Sequence, residues 1–525
     1  MKTVDELQAT LAELKSDFVR IQGDVEKIET TGGNVAQAVK QLTALEEEIA
    51  SVRKQLNEAI KKRAKRTRSA SLLFSCPPFF PHRYRVLTRG KRVFFMQLHV
   101  VQAGESLYGI AQAYSTSPQS IATANQLDAP NELVVGQTLV IPIYGRYYFV
   151  QPGDTLSVIA ARYGFSVQQL AEINNLMPTQ VLPVGFRLYL PPAAKQEIET
   201  NAYIEPTQDT ISEALLTSAR EAAPYLTYLA PFSYRITAEG ALLPVPLGSL
   251  PDIADENNTA LMMVITNLQE GAFSGELGQT VLESPDIQNT LLDAIITEAN
   301  RVGRFSDVHF DFEFLPPAMR EPYNAFLRKA VDRLHQEGLL VSTALAPKTS
   351  AAQTGQWYEA HDYRAHGDIV DFVVLMTYEW GYSGGPPQAV SPIGPVTEVV
   401  EYALTEMAPD KIMLGQNLYG YDWTLPFEPG GEYARAISPQ QAIALAREHN
   451  VAIEFDTDAQ APFFHYIDAN GREHEVWFED GRSIQAKFNL IKQNELRGIS
   501  YWKLGLSFPQ NWLLLNDQFT IRKRR

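Results

Sequence analysis

Apolar positions along the chain follow different patterns in different stretches, chiefly the helical and the strand periods. Between Leu7 and Ile28 they recur at alternating steps of four and three (Leu7, Leu11, Leu14, Phe18, Ile21, Val25, Ile28), the seam of a helix that packs on another helix. Residues 30–34 break the run, and a looser one follows through Val35, Val39, Leu42, Ile49, Leu56 and Ile60. Residues 1–60 therefore read as a helical hairpin or short coiled coil. Neither period fits residues 61–95, which reads as a disordered linker. From residue 199 onward, short apolar runs alternate with amphipathic helical ones.

Strands are expected at 200–204, 225–232, 260–266, 306–314, 339–345, 370–377, 411–418 and 498–504, with helices between them such as 287–302 and 323–337. Eight strands alternating with helices over residues 199–525 predict an α/β domain, a (β/α)8 TIM barrel with surplus length around 433–480. In such barrels chemistry gathers at the C-terminal ends of the strands. The fourth strand stands out. Val308, Phe310, Phe312 and Phe314 alternate with His309, Asp311 and Glu313, so one face carries two carboxylates beside a histidine. Buried carboxylates are costly unless they are paired or working.

Between residues 96 and 192 the chain repeats itself at an offset of 49. Residues 100–107 match 149–156, and Ile110, Ala111, Tyr114, Asn125, Gly136 and Pro142 match Ile159, Ala160, Tyr163, Asn174, Gly185 and Pro191. Two copies are too few for a solenoid, so each is a small self-contained module. Ser106 is a helix cap ahead of the apolar stripe Leu107, Ile110, Ala111 and Tyr114. Ser117 and Pro118 open a second helix, and residues 139–142 close with a strand. The expected order is βααβ, twice, over 96–143 and 147–192.

Composition adds boundaries. The net charge of −16 argues against a nucleic-acid partner. Cys76 is the only cysteine, so no intramolecular disulfide is available. No stretch is long and apolar enough to span a membrane, and no secretory signal follows Met1. The nine histidines show no metal-ligand spacing and no glycine-rich phosphate loop appears, so neither a metal nor a cofactor is expected. Residues 61–92 hold eleven Lys or Arg and no Asp or Glu. Residues 89–95 are also encodable as a ribosome-binding site ahead of Met96, which gives the expectation that residues 1–95 are a fused upstream frame.

Residues 96–143 and 147–192 resemble the LysM domain, a binder of N-acetylglucosamine-containing glycans such as peptidoglycan and chitin. The resemblance implies glycan contact through Gly104, Glu105, Ser106 and Leu107, facing residues 131–135, and through Gly153, Asp154, Thr155 and Leu156, facing 181–184. Residues 306–313 resemble the Asp-x-x-Asp-x-Asp-x-Glu signature of glycoside hydrolase family 18. That resemblance implies Glu313 as general acid and Asp311 as the carboxylate that orients the substrate's acetamido group. Two positions depart from the signature: Ser306 replaces its first Asp, and His309 stands where Asp or Asn is usual. His309 is expected to pair with Asp311 and, titrating near neutrality, to shape the pH profile. Residues 375–380 resemble the family's Met-x-Tyr motif, implying that Tyr378, beside Met376, bonds the acetamido carbonyl, with Glu379 in place of the commoner Asp. Trp502 matches the tryptophan that floors the cleaved sugar's subsite, and Asn417 and Tyr419 are expected in the cleft.

Together these features resemble the spore cortex-lytic N-acetylglucosaminidases of endospore-forming bacteria. The implied reaction is hydrolysis, with retention, of the β-1,4 bond after N-acetylglucosamine in spore peptidoglycan during germination, in the spore cortex or coat region. The alternatives are a chitinase or chitooligosaccharide hydrolase, and a non-catalytic glycan-binding coat protein.

Overall fold

The structure, a computed structural model, describes residues 96–143, 146–190, 195–206 and 209–524. The expected hairpin, the basic linker and the fused-frame reading of residues 1–95 lie outside the described residues.

All eight expected strands form, at Gln196–Ile204, Tyr228–Pro231, Ala260–Thr266, Phe305–Asp311, Leu340–Leu345, Phe372–Leu375, Ile412–Asn417 and Gly498–Trp502. Each pairs in parallel with the next, the eighth pairs with the first, and the third pairs with the fourth, which closes the barrel. The fourth strand stops at Asp311, short of the expected 314. Phe314 turns into the left-handed region with φ 54°, which ends the extended run.

Alternation along the fourth strand sorts its side chains as the pattern requires. Phe310 and Phe312 face the helix layer, where Phe310 meets Phe326 edge-on at 5.2 Å and Phe312 stacks on Tyr323 at 5.6 Å. Phe314, past the strand end, leaves this layer; it is 41% exposed and stacks on Trp357. The barrel interior is filled by Tyr203, Tyr228, Met262, Val264, Phe372, Val374 and Met413.

The surplus length folds as a second sheet of five strands, ordered Arg435–Ile437, Gly420–Thr424, Glu473–Trp477, Ala461–Ile467 and Glu454–Asp456, with the helix Pro439–Glu448 beside it. Its opening strand follows directly on the seventh barrel strand, so the inserted sheet rises at the rim where the barrel strands end.

Both repeats fold as βααβ. In the first, Gln97–Val100 pairs antiparallel with Thr138–Ile141 around the helices Leu107–Ala113 and Pro118–Ala124. In the second, Arg146–Phe149 pairs with Arg187–Leu190 around Leu156–Tyr163 and Val167–Ile173. The period-49 asparagines do the same work in each. Asn125 exchanges hydrogen bonds with the backbone N–H and C=O of Val140 (both 2.8 Å), and Asn174 does so with Tyr189 (2.6 and 2.9 Å).

The first repeat is docked on the barrel domain. Val134 joins the apolar cluster of Ile437, Ile453 and Phe464. Arg447 grips both oxygens of Asp128, Thr138 donates to Asp480, and Gln510 donates to Asn125 and to the Thr138 carbonyl. Gly136 is required at this contact, since a Cβ there would lie 1.8 Å from the Ile453 carbonyl oxygen.

Candidate active site

Glu313 sits two residues beyond the fourth strand, so its position depends on what holds that loop. Asn267 clamps the Glu313 backbone, accepting from its N–H at 3.0 Å and donating to its carbonyl at 2.8 Å. His361 Nε2 donates to the Phe312 carbonyl at 3.0 Å while its Nδ1 accepts from Ala346 N–H, which fixes the ring's tautomer. Gln356 donates to the Phe314 carbonyl at 3.0 Å. The loop packs so closely on the helix Gly275–Glu283 that a Cβ on Gly275 would lie 2.3 Å from the Phe314 oxygen.

At the end of this support, the indole N–H of Trp357 donates to Glu313 Oε2 at 2.5 Å. Glu313 and Asp311 are both buried, at 8% and 5% exposure. Burial, the neighbouring charge of Asp311 and, in opposition, the Trp357 bond leave the Glu313 carboxyl well above its ordinary range. Burial pushes Asp311 up to about 7, and its Oδ1 has no hydrogen-bond partner. For Glu313 this is the electrostatic setting of a carboxyl that must carry a proton near neutrality.

The structure corrects the expected role of His309. No hydrogen bond joins it to Asp311. Its Nε2 meets the Tyr203 hydroxyl at 2.9 Å and its Nδ1 meets Ser342 Oγ at 2.7 Å. Burial without a counter-charge pushes the imidazole down to about 3, so it is neutral and does not titrate near pH 7. Ser306 is half-buried, at an irregularity in the strand register between Phe305 and Asp307. The carboxyl that enters the barrel there is Asp307, fully buried and bonded to Ser342.

Tyr378 and Trp502 lie at the ends of the sixth and eighth strands. Thr377 donates to the Gly415 carbonyl at 2.7 Å and thereby ties the sixth strand's end to the seventh strand. Gly415 must lack a side chain, because a Cβ would lie 2.2 Å from the Leu375 oxygen and 2.9 Å from the Tyr378 ring. Trp502 is half-buried, held edge-on by Phe232 at 4.8 Å and by Tyr203 at 5.4 Å. Beside Tyr378 opens a cleft of about 390 Å3 lined by Trp357, Tyr358, Glu379 and Trp380. Glu379, at φ 66°, accepts from the hydroxyls of Tyr419 and Tyr421.

Three expected contact residues turn out to support the site from behind. Met376 is buried and packs with Ala344 and Ala346 beneath Trp357, Tyr358 and Tyr378. Asn417 is fully buried, donating to the Tyr419 carbonyl and accepting from Gln416. Tyr419 is buried, with its hydroxyl committed to Glu379.

The LysM side chains also hold their own loops. Glu105 accepts from Gln102 N–H and from His99, both at 2.8 Å; Asp154 accepts from Gln151 N–H, Arg162 and the Tyr148 hydroxyl. Ser106 and Thr155 cap helices, and Leu107 and Leu156 are buried in their module cores. These side chains close their own loops. The loops still border a groove of about 480 Å3 in the first module, running from Glu105–Tyr108 to Asn131 and Leu133, with Tyr108 64% exposed. In the second module Val181 and Met177 stand 89% and 67% exposed on the corresponding rim.

Sequence reading missed Trp357, Asn267, Tyr203, Ser342 and Asp307. Only Asp307 carried a signal: it falls on the same alternating face as His309, Asp311 and Glu313. Among the described residues no cluster of His, Cys, Asp and Glu is placed to hold a metal ion, and no helix is long and apolar enough to cross a membrane.

Comparison with known proteins follows the same division of the chain. The model for glycosyl hydrolases family 18 matches residues 246–506, and that for the LysM domain matches 99–142 and 148–191. A cortical fragment-lytic enzyme of Bacillus subtilis (strain 168) is 65% identical over 429 residues, 82% of this chain and 99% of that protein. A cortical fragment-lytic enzyme of Bacillus anthracis is 53% identical over 82% of this chain and its own whole length. The crystal structure of the spore cortex-lytic enzyme SleL of Bacillus megaterium QM B1551 superimposes with a TM-score of 0.77 at 52% identity, covering 82% of this chain and 100% of that one. With its closed barrel, its two LysM domains and relatives matched along their whole length, the chain belongs to the glycosyl hydrolases of family 18.

Proposed function

We propose that the protein hydrolyses the β-1,4 bond after N-acetylglucosamine in spore cortex peptidoglycan or its fragments during germination, with Glu313 as the general acid. The observation that carries this reading is the Glu313 carboxyl itself: buried at a barrel-strand end, raised in pKa, and held by Asn267 and Trp357 with Asp311 alongside. The names of the relatives at 65% and 53% identity support cortex fragments as substrate.

Family 18 enzymes use substrate assistance, so one acid suffices where other glycosidases need two flanking carboxylates. The substrate's acetamido oxygen attacks the anomeric carbon as Glu313 protonates the leaving glycosidic oxygen. Asp311 accepts from the acetamido N–H and stabilises the positive charge that grows on the resulting ring. Tyr378 donates to the acetamido oxygen, and Trp502 lies under the sugar as an apolar platform. Glu313, now a carboxylate, takes a proton from the water that opens the intermediate, which regenerates the acid and retains the configuration. Backbone groups of the 104–107 and 153–156 loops, with Tyr108 and Val181 on the groove rims, hold the polymer. The enzyme acts in the spore cortex.

Digestion of cortex fragments, intact peptidoglycan and chitin oligomers, followed by mass analysis, tests the reading. Cortex-fragment products from the wild type and none from Glu313→Gln are expected. Equal or better cleavage of chitin oligomers would make it a chitinase, and no products from the wild type would leave a glycan-binding protein.

A further inference from the structure

Three hydrogen bonds join four buried side chains into a line across the barrel interior. Ser342 Oγ lies 2.6 Å from Asp307 Oδ2, His309 Nδ1 lies 2.7 Å from Ser342 Oγ, and His309 Nε2 lies 2.9 Å from the Tyr203 hydroxyl. Asp307, His309 and Ser342 are fully buried and Tyr203 is 3% exposed. The line starts at a carboxyl whose other oxygen, Oδ1, has no partner. It ends at a ring set edge-on against Trp502, under the field of Asp311.

We propose that Asp307, acting through Ser342 and His309, sets the direction in which the Tyr203 hydroxyl proton points beside Asp311 and Trp502, which makes these three positioning residues for the hydrolysis. The inference rests on the reading of Glu313 and Asp311 given above. Each hydroxyl, and the neutral imidazole, donates one proton and accepts another, and a proton on Asp307 finds a partner only from Oδ2, since Oδ1 faces none, so the line has two ordered states. With Asp307 ionised, Ser342 donates to it, His309 donates from Nδ1 to Ser342, and Tyr203 donates to Nε2. With Asp307 neutral, its O–H donates to Ser342, Ser342 donates to Nδ1, and Nε2–H donates to the Tyr203 oxygen. Tyr203 then keeps its own proton, which no longer goes to His309 and can turn to Ser500 or to the Asp311 side of the cleft. The two states differ by one proton on Asp307; no heavy-atom bond changes.

The surroundings favour the second state. Asp371 before the sixth strand and Glu199 on the first repel an anion at Asp307, whereas Arg497 before the eighth strand attracts one. Tyr228 on the second strand also feels this carboxyl, as does Tyr203, which further feels Asp311 and Glu313 and hydrogen-bonds the Ser500 side chain. Desolvation outweighs the Ser342 hydrogen bond and Arg497, both of which favour the anion, and holds Asp307 well above the ordinary carboxylate range. Its ionisation at high pH reverses the line and withdraws the Tyr203 proton from the cleft.

The test follows kcat and KM against pH on isolated cortex fragments. Ser342→Ala cuts the line and should lower kcat about tenfold, the scale of a lost positioning bond, with KM within about twofold. Ser342→Thr keeps the hydroxyl and should restore kcat. Asp307→Asn cannot ionise and can donate to Ser342 through Nδ2, so its alkaline limb should extend above that of the wild type. Nitrogen shifts of His309, assigned by their loss in His309→Asn, should report a proton on Nε2 and none on Nδ1 in the wild type. Equal kcat in Ser342→Ala and Ser342→Thr, a superimposable Asp307→Asn profile, or the opposite tautomer would each overturn the proposal. If Asp307→Asn does not fold, the Ser342 pair and the tautomer decide. Glu313→Gln separates the two readings. An active Glu313→Gln removes the catalytic assignment, whereas an inactive one beside unaffected Ser342 and Asp307 variants removes the relay alone.

Discussion

Replacing Asp311 by asparagine removes a carboxyl that folding strips of water. Asp311 is 5% exposed, its Oδ1 has no partner, and burial raises its pKa from 3.8 to about 7. The native state therefore holds a proton that the unfolded chain releases, and each unit of difference is worth ~1.4 kcal/mol. Stability linked to this group is fully present below the unfolded pKa and is lost as pH rises through the folded one. Asparagine does not ionise, so the variant should exceed the wild type by about 1 kcal/mol at pH 4.5 and about 4 kcal/mol at pH 8. Relief of Glu313, whose carboxyl Asp311 also pushes up, adds in the same direction. At ~2.1 cal/mol/K per residue over about 430 residues, one degree of Tm corresponds to about 0.9 kcal/mol, so the Tm gap should widen by about 3 °C between the two pH values. Calorimetric scans of both proteins at pH 4.5 and 8 measure it, and hydrolysis should fall in the more stable variant. A Tm gap that stays constant, or narrows as pH rises, would refute the view of Asp311 as a destabilising buried carboxyl retained for chemistry.

Other substitutions read other contacts. Trp357→Phe keeps the stack on Phe314 but removes the N–H bond that lowers the Glu313 pKa, so the alkaline limb of kcat/KM should move up by about one unit. Glu313→Gln should lower kcat by about 10³-fold on cortex fragments with little change in KM, as loss of a general acid requires. Val134→Asp places a charge in the apolar seam between the first LysM module and the inserted sheet; a cost of about 3 kcal/mol is expected, measured as a lower Tm and new protease sensitivity in that module. Tyr108→Ala removes the exposed ring at the first LysM groove and should weaken sedimentation with insoluble peptidoglycan by several-fold while leaving hydrolysis of small fragments intact.

Much of this molecule is local in origin. The short apolar runs that became barrel strands, the period-49 repeat with its caps at Ser106, Ser117, Thr155 and Ser166, and the alternation that put Asp311 inside the barrel all depend on neighbours within a few residues. That is why they were legible from spacing alone. The roles drawn for Asp154, Asn417 and Met376 were less secure for the same reason. A residue type at a loop or strand end does not say whether its side chain faces the groove or turns inward to close a loop, and here these three turn inward. His309 shows the limit most clearly. Its pairing with Asp311 was inferred from two positions on one strand, whereas its partners come from the first and fifth strands, 106 and 33 residues away in sequence.

The amino-acid sequence by itself determined the eight-strand barrel, the paired modules and the two carboxylates at the end of the fourth strand, because hydrophobic period and turn chemistry act over a few residues. Only the tertiary structure decided what those carboxylates are. Barrel closure brings Trp357, Asn267, Tyr203 and Ser342 around residues 307–313 and excludes water from them. Desolvation and hydrogen bonding between distant strands, which no local pattern encodes, set the proton on Glu313 and the neutrality of His309.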